Sequence, residues 1–158
     1  MGSQFMDLIF YRRSISPNAL QNLSSEIREK FGHSTKYVIH LKFKKRDGWD
    51  IFRYPFIFDT GAVLSYAPLS ILEDLKIKPE FELSVGGINP DEKCRVITKV
   101  AKVSFKIMDD INQESQKLTA WFAFHPFTQQ VCLLGMKNVL DSFNFRQNSK
   151  ENKLIITI

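Results

Sequence analysis

The chain has 158 residues, 44% of them hydrophobic and 25% charged, with a net charge of +5. That length suits one domain burying on the order of 70% of its unfolded surface, and it excludes two lobes of ordinary size. Apolar runs stay far below the roughly 20 residues that span a bilayer, and no charged stem leads into a signal-like segment, which speaks against membrane contact by this chain.

Met1-Gly2-Ser3-Gln4-Phe5 reads as a cloning scar, and residues 6–36 as an N-terminal extension. Within the extension, Ser16-Pro17, then Leu20, Leu23, Ile27 and Phe31, then Gly32, supply an N-cap, a first-turn proline, a 3.6-residue apolar stripe and a stop. They predict a short amphipathic helix covering one end of the core. The pattern then changes to period two. Tyr37 to Lys44 alternates, Asp47-Gly48 supplies a turn with positive φ, and Trp49 to Phe58 returns, a β-hairpin ending on Asp59. Pro68, Leu69, Leu72 and Leu75 predict a helix that stops before Pro79.

Further strands are expected over Phe81 to Val85, Arg95 to Met108 and Lys117 to Phe124, with a polar connector from Asp109 to Gln116. The middle strand is long enough to bend between two sheets or to pair on both sides of a bulge. Val131 to Leu134 reads as a short buried strand ending at Gly135, Met136 to Phe143 as a two-turn helix, and Asn144 to Ile158 as a hairpin around Asn148-Ser149-Lys150. No repeat or low-complexity linker interrupts residues 37–158, which form one compact, mostly β domain.

Several chemistries find no support. Cys94 and Cys132 lack the spacing of a zinc site or a CxxC motif and read as two reduced, mostly buried thiols rather than a disulfide. His33, His40 and His125 are scattered, so neither a metal nor another cofactor is expected, nor a Cys/His nucleophile pair. Apart from Lys42, Lys44, Lys45 and Arg46 at the hairpin tip, the basic residues are dispersed, and a solvated turn accounts for that cluster better than nucleic-acid binding. The compartment is unknown; the cytoplasm is favoured for this chain, with an upstream signal or anchor left open.

One acid stands apart. Asp59 ends the apolar run Phe56-Ile57-Phe58 and is followed at once by Thr60, Gly61 and Ala62. Val85-Gly86-Gly87-Ile88 follows in a hairpin-like context, and Leu133-Leu134-Gly135 precedes the last predicted helix. Glycine at position 61 can take a positive φ and leaves no Cβ between its amide and the carboxylate; Gly135 permits close backbone approach, and Gly86-Gly87 makes a hairpin tip that opens at low conformational cost. Each glycine also has a plainer reading as a turn or bulge residue.

Together these three elements resemble the retropepsin-like aspartic proteases, the single-lobed relatives of pepsin, over roughly Tyr37 to Ile158. The resemblance implies a closed, barrel-like acid-protease fold, mostly β with a few short helices and one lobe per chain. It implies Asp59 as the catalytic aspartate and Thr60 as the residue whose hydroxyl bonds across a two-fold axis. Gly61 and Ala62 would complete the active-site loop, Val85 to Ile88 would form the flap over the substrate, and Leu133-Leu134-Gly135 would pack beneath the aspartate loop.

Cutting an amide with water, and without metal, serine or cysteine, needs one group to take a proton while another gives one. Two carboxyls about 4 Å apart repel by roughly 4 kcal/mol at an effective dielectric of about 20, near three pK units, so the pair holds one proton and serves as base and acid together. This chain has a single Asp-Thr-Gly. The other aspartates, Asp7, Asp47, Asp50, Asp74, Asp91, Asp109, Asp110 and Asp141, lie in polar or turn-like contexts and read as solvated surface charges. A second copy must then supply the other carboxylate, which predicts a C2 homodimer acting on an extended polypeptide.

The resemblance also suggests interleaved termini at that interface, a role for Lys153 to Ile158; the alternative is that this strand pairs only within its own subunit. Asn89-Pro90 would stiffen the flap tip. Residues 6–36 could brace the dimer, cap the cleft or tether the domain. Two rivals remain from other classes: a silent protease-fold domain serving as a dimerising or peptide-binding module, and a plain β-barrel binding domain in which the tripeptide is accidental.

Overall fold

Strict alternation explains one of the longest strands. In the computed structural model, which describes residues 5–14, 35–86, 95–127 and 132–158, strand β2 (Thr35–Lys45) buries Tyr37, Ile39, Leu41 and Phe43 and turns Lys36, Val38, His40, Lys42 and Lys44 away from the core. Gly48, at φ 136°, then closes the turn into β3 (Gly48–Trp49), the positive φ expected of it. The helix expected over Ser16 to Gly32 lies outside the described residues, as do Cys94 and His33.

The remaining strands are β1 (Asp7–Ser14), β4 (Tyr54–Phe58), β5 (Ser65–Pro68), β6 (Phe81–Val85), β7 (Val96–Met108), β8 (Leu118–His125), β9 (Cys132–Leu134), β10 (Asn144–Asn148) and β11 (Lys153–Thr157). Helix α1 (Leu69–Leu75) buries Ile71, Leu72 and Leu75 and ends at Lys76 in the left-handed region, before Pro79 as expected. Strands run in the order β10-β11-β1-β2-β4-β9-β5-β8-β7-β6, and a further pairing of β2 with β7 closes six of them into a barrel. The closure depends on the length of β7: it pairs with β6 through Val96–Val100, with β8 through Lys99–Phe105 and with β2 through Phe105–Met108. The fold is thus mostly β with little helix, as the sequence pattern implies.

Inside the barrel, Phe43, Phe56, Phe105 and Phe122 are fully buried and meet at ring-centroid distances of 5.4–6.3 Å, mostly tilted or edge-on. Among the described residues no helix is long and apolar enough to cross a membrane.

Three features depart from the expectations. Asp7–Ser14, placed in the extension without a strand, pairs with β11 through Asp7–Tyr11 and with β2 through Arg12–Ser14, and contributes Leu8 and Phe10 to the core. Strand β11 has β10 on one side and β1 on the other, so both its edges are occupied within the subunit. Two aspartates read as solvated are buried instead. The Asp109 carboxylate accepts bonds from the N–H groups of Ile9, Ile111 and Gln113 and from the Gln113 amide, at 2.7–3.0 Å. Asp50, 2% exposed, accepts from the Phe52 N–H and Tyr54 hydroxyl and pairs with Lys45. Asp110 also turns inward, binding the Tyr11 N–H and Arg13. Turn-like polar context does not reveal such acids: nearby groups close round Asp50, and for Asp109 nearby amides act together with the distant Ile9 N–H.

Burial acts to raise the Asp50 carboxyl, but the Phe52 N–H, Lys45 and the Tyr54 hydroxyl outweigh it and hold it below the ordinary carboxylate range; hydrogen bonds from Lys42 and Lys106 lower Glu114 likewise. Both groups lie lower in the folded chain than in the unfolded one, so their stabilisation is complete above the usual carboxylate range and is lost as the pH falls through the depressed values. The urea midpoint is expected to fall on acidification below about pH 4, and Asp50→Asn to lower stability near neutrality while flattening that acid slope, as a denaturation series at several pH values will show.

Candidate active site

The acid at the end of β4 is aimed by a parallel ladder. Phe56, Ile57 and Phe58 lie beside Cys132, Leu133 and Leu134 of β9, and the Asp59 N–H extends the same ladder by donating to the Leu134 carbonyl at 3.1 Å. The chain then turns: the Ala62 N–H donates to the Asp59 carbonyl at 3.3 Å, and the Gly61 N–H donates to Asp59 Oδ1 at 2.9 Å. Asp59 is half-buried, while Thr60 and Gly61 are exposed. The result is a carboxylate held in a fixed direction at the protein surface.

Gly61 does not use a positive φ; Gly48 alone among the described glycines does. Its requirement is spatial, since a Cβ there would stand 3.2 Å from Asp59 Oδ1. Gly135 is the stricter case. A Cβ at that position would overlap the Leu64 carbonyl and lie 2.9 Å from the Ala62 oxygen, so the backbone of the Asp59 loop rests directly on this glycine. The Gly135 N–H donates to the buried Ser65 Oγ at 3.0 Å, and the Met136 and Lys137 N–H groups donate to the Ala62 and Val63 carbonyls at 2.9 and 2.8 Å. Three consecutive amides therefore secure the loop from below. Ser65 was not among the expected site residues; a serine in an apolar strand start carries no signal of its own in one sequence.

Leu134 and Gly135 are buried beneath the loop, and Leu133 is half-buried, bridging to Tyr66. Val85 ends β6 half-buried and Gly86 follows it, exposed; Gly87 and Ile88 lie outside the described residues. The helix expected over Met136 to Phe143 is instead an irregular set of turns with a short 3-10 segment at Leu140–Ser142. Asn138, at φ 57°, interrupts a regular helix, and the Asp141 N–H reaches back to the Met136 carbonyl.

A cavity of about 310 Å³ opens at the loop, lined by Thr60 to Val63 with Met136, Lys137 and Asp141. Its lining begins at the residue after Asp59 and includes one carboxyl, that of Asp141. Burial pushes the Cys132 thiol up to about 12, which leaves it protonated at neutral pH, and burial lowers the His125 imidazole. Among the described residues no group of three His, Cys, Asp or Glu side chains is placed to hold a metal ion.

The six-stranded closure with little helix is consistent with the acid-protease fold. Among solved structures, a retropepsin-like aspartic protease from Rickettsia conorii is similar over 99% of this chain and 94% of its own, with a TM-score of 0.52 and 13% sequence identity. No family model and no curated protein sequence matches the chain.

Because the Cβ of alanine would meet backbone rather than a yielding side chain, Gly135→Ala is expected to lower stability by about 3 kcal/mol or to prevent folding, whereas Gly86→Ala, with open space around its Cα, is expected to change the melting temperature little. Parallel thermal melts of the two variants check this.

Proposed function

We propose that the chain is an aspartic endopeptidase that works as a homodimer, with Asp59 of each copy contributing one half of a proton-sharing pair. The observation that carries this reading is the Asp59 loop itself: a carboxylate at the surface, oriented by the Gly61 N–H and seated on Gly135. An isolated charge needs no such support. A group that must meet its symmetry mate within a few tenths of an ångström does.

In the reaction, the ionised carboxylate takes a proton from a water molecule as its oxygen bonds to the scissile carbonyl carbon. The protonated carboxyl gives its proton to the carbonyl oxygen. Collapse of the tetrahedral intermediate breaks the C–N bond: the departing amine takes the proton held by the first carboxyl while a hydroxyl of the intermediate returns a proton to the second carboxylate, which leaves the carboxylic acid product and restores the singly protonated pair. Thr60 is assigned the bond across the axis, and Gly61 and Ala62 the loop backbone. The hairpin bearing Val85, Gly86, Gly87 and Ile88 covers the extended polypeptide.

For the proposed dimer, the sheet order favours one placement of the partner over another. Since β11 is occupied on both sides, interleaving through that strand is disfavoured, and among the described residues β10, one of the two end strands of the sheet, is the edge beside it. Its Phe145 ring lies 5.3 Å from that of Phe58, the residue before Asp59, so a second copy added at β10 approaches the catalytic loop. The cleft-capping role considered for residues 6–36 cannot be tested by removing all of them, because Leu8 and Phe10 are core residues; a shortened chain must keep Asp7–Ser14.

The test is cleavage of an unbiased peptide library between pH 4 and 7. Wild-type protein is expected to cleave, Asp59→Asn to be at least about 100-fold slower, and heterodimers with one Asp59→Asn subunit to be equally impaired. At low concentration the rate should rise with the square of protein concentration. Equal cleavage by wild type and variant removes the assignment, and a dimer that binds peptides without cutting them at any pH is instead the silent module.

A further inference from the structure

Lys44, Lys45 and Arg46 at the hairpin tip, cations that the sequence accounts for as a solvated turn, do not stand alone once the chain is folded. Lys76, at the end of α1, and Lys102, on β7, join them round a cavity of about 310 Å³ that Ser104 also lines. A cavity of about 200 Å³ adjoins it, shares Lys45, Arg46 and Lys76, and reaches Trp49. We infer that the two cavities form one binding site for an oligophosphate, a ligand carrying several linked phosphoryl groups either as an inorganic chain or on a nucleoside.

Three elements bring the cations together. Phe43 of β2 faces Phe105 of β7 in the core, and the residues that flank this pair, Lys44 and Ser104, both line the larger cavity. Alternation then places Lys102 on the same face of β7 as Ser104. Helix α1 delivers Lys76 at its end, between Leu75 and Ile77, which supply apolar wall. The site stands apart from the Asp59 loop. Strand β4 has Tyr54 beside Leu41 and Ile57 beside Val38, so the hairpin tip lies beyond Tyr54, and roughly 16 Å of strand separates that end from Asp59. Binding there is therefore expected whether or not the chain cuts peptides.

Charge balance sets this cluster apart from its neighbours. Lys42 and Lys106 share Glu114 at 3.1 and 3.2 Å, and Lys45 pairs with Asp50 at 3.2 Å. Among the described residues no ion pair engages Lys44, Arg46, Lys76 or Lys102, and the larger cavity is lined by five cations and no carboxylate. Asp47 and Asp74 line only the smaller one. Like charges gathered round a concavity repel one another and focus their field into it, so a multiply charged anion is drawn in and relieves the repulsion. The preponderance of lysine favours phosphate: an ammonium is a point charge that meets phosphoryl oxygens from any direction, whereas carboxylates are best matched by arginine forks, and Arg46 is the one arginine here. The larger volume is at the small end of ligand pockets, which begin near 300 Å³, and suits a compact anion better than a length of nucleic acid.

Trp121→Phe leaves Trp49 as the sole indole. Its emission is followed while sodium triphosphate, ATP or AMP is added in magnesium-free buffer of low ionic strength, and calorimetry reads the same titrations independently. Triphosphate and ATP are expected to bind saturably, AMP at least about 10-fold more weakly, and added salt to weaken all three. Lys76→Gln and Lys102→Gln, both at exposed positions, are each expected to weaken triphosphate about 10-fold, whereas Lys150→Gln in the turn between β10 and β11 leaves it unchanged. Equal affinity for triphosphate and ATP assigns the site to the phosphoryl chain alone; tighter binding of ATP assigns it to a nucleotide.

Absence of saturable binding by both methods overturns the site, and so do affinities that Lys76→Gln and Lys102→Gln leave unchanged. AMP binding as tightly as ATP also overturns it, since one phosphate contact would then suffice. A single-stranded oligothymidylate that binds where triphosphate and ATP do not would make this face a nucleic-acid surface instead.

Discussion

The fold hangs on the contact between the Leu64 carbonyl and Gly135. With no side chain at that point, two segments far apart in sequence meet backbone to backbone, and the Asp59 loop can be held by main-chain bonds from Gly135, Met136 and Lys137. Main-chain bonds are short, directional and independent of rotamers, so they fix a carboxylate more tightly than side-chain contacts do. The parallel pairing of β4 with β9, the burial of Leu134 and the placement of Ser65 all serve this meeting. A loop so constrained holds its acid in one orientation, which is what electrostatic preorganisation would require of the proposed endopeptidase.

Around that point the barrel divides the labour. Its interior is a cluster of phenylalanines that needs no polar partner and resists deformation. Its closure falls to β7, whose ends belong to different neighbours. The barrel's rim carries the exposed elements: the Asp59 loop, the end of β6 and the turns after Gly135. Rigidity and accessibility are thus segregated, the usual arrangement for residues that must bind or react.

Much of this was legible in the residues. Period-two alternation over Tyr37 to Lys44 and over Arg95 to Met108 gave strands at nearly their observed bounds, because half-buried strands expose their period directly. Asp59 was legible from its place after an apolar run and before Thr60-Gly61. Other features were hidden for physical reasons. Asp7–Ser14 was missed since its Arg12-Arg13 end breaks the alternation, and its partner strands begin twenty or more residues away. Asp109 and Asp50 look like turn acids, and only the three-dimensional chain shows which amides they satisfy. Met136 to Phe143 has helical spacing of apolar residues, yet Asn138 adopts a left-handed conformation that spacing cannot report.

The pairing of β1 with β11 has a consequence for biosynthesis. Asp7 faces Thr157 and Leu8 faces Ile156, so β1 leaves a ribosome well before the strand it pairs with. Until then β1 can join only β2, through Arg12–Ser14, and the Leu8–Phe10 end of the ribbon lacks its pairing strand. Such long-range closure slows folding and exposes sticky segments meanwhile. The acids of the Asp109-Asp110 turn, which take the Ile9 and Tyr11 amides on the other edge of β1, come within reach sooner and offer that ribbon an early, local anchorage while its final neighbour is still being made.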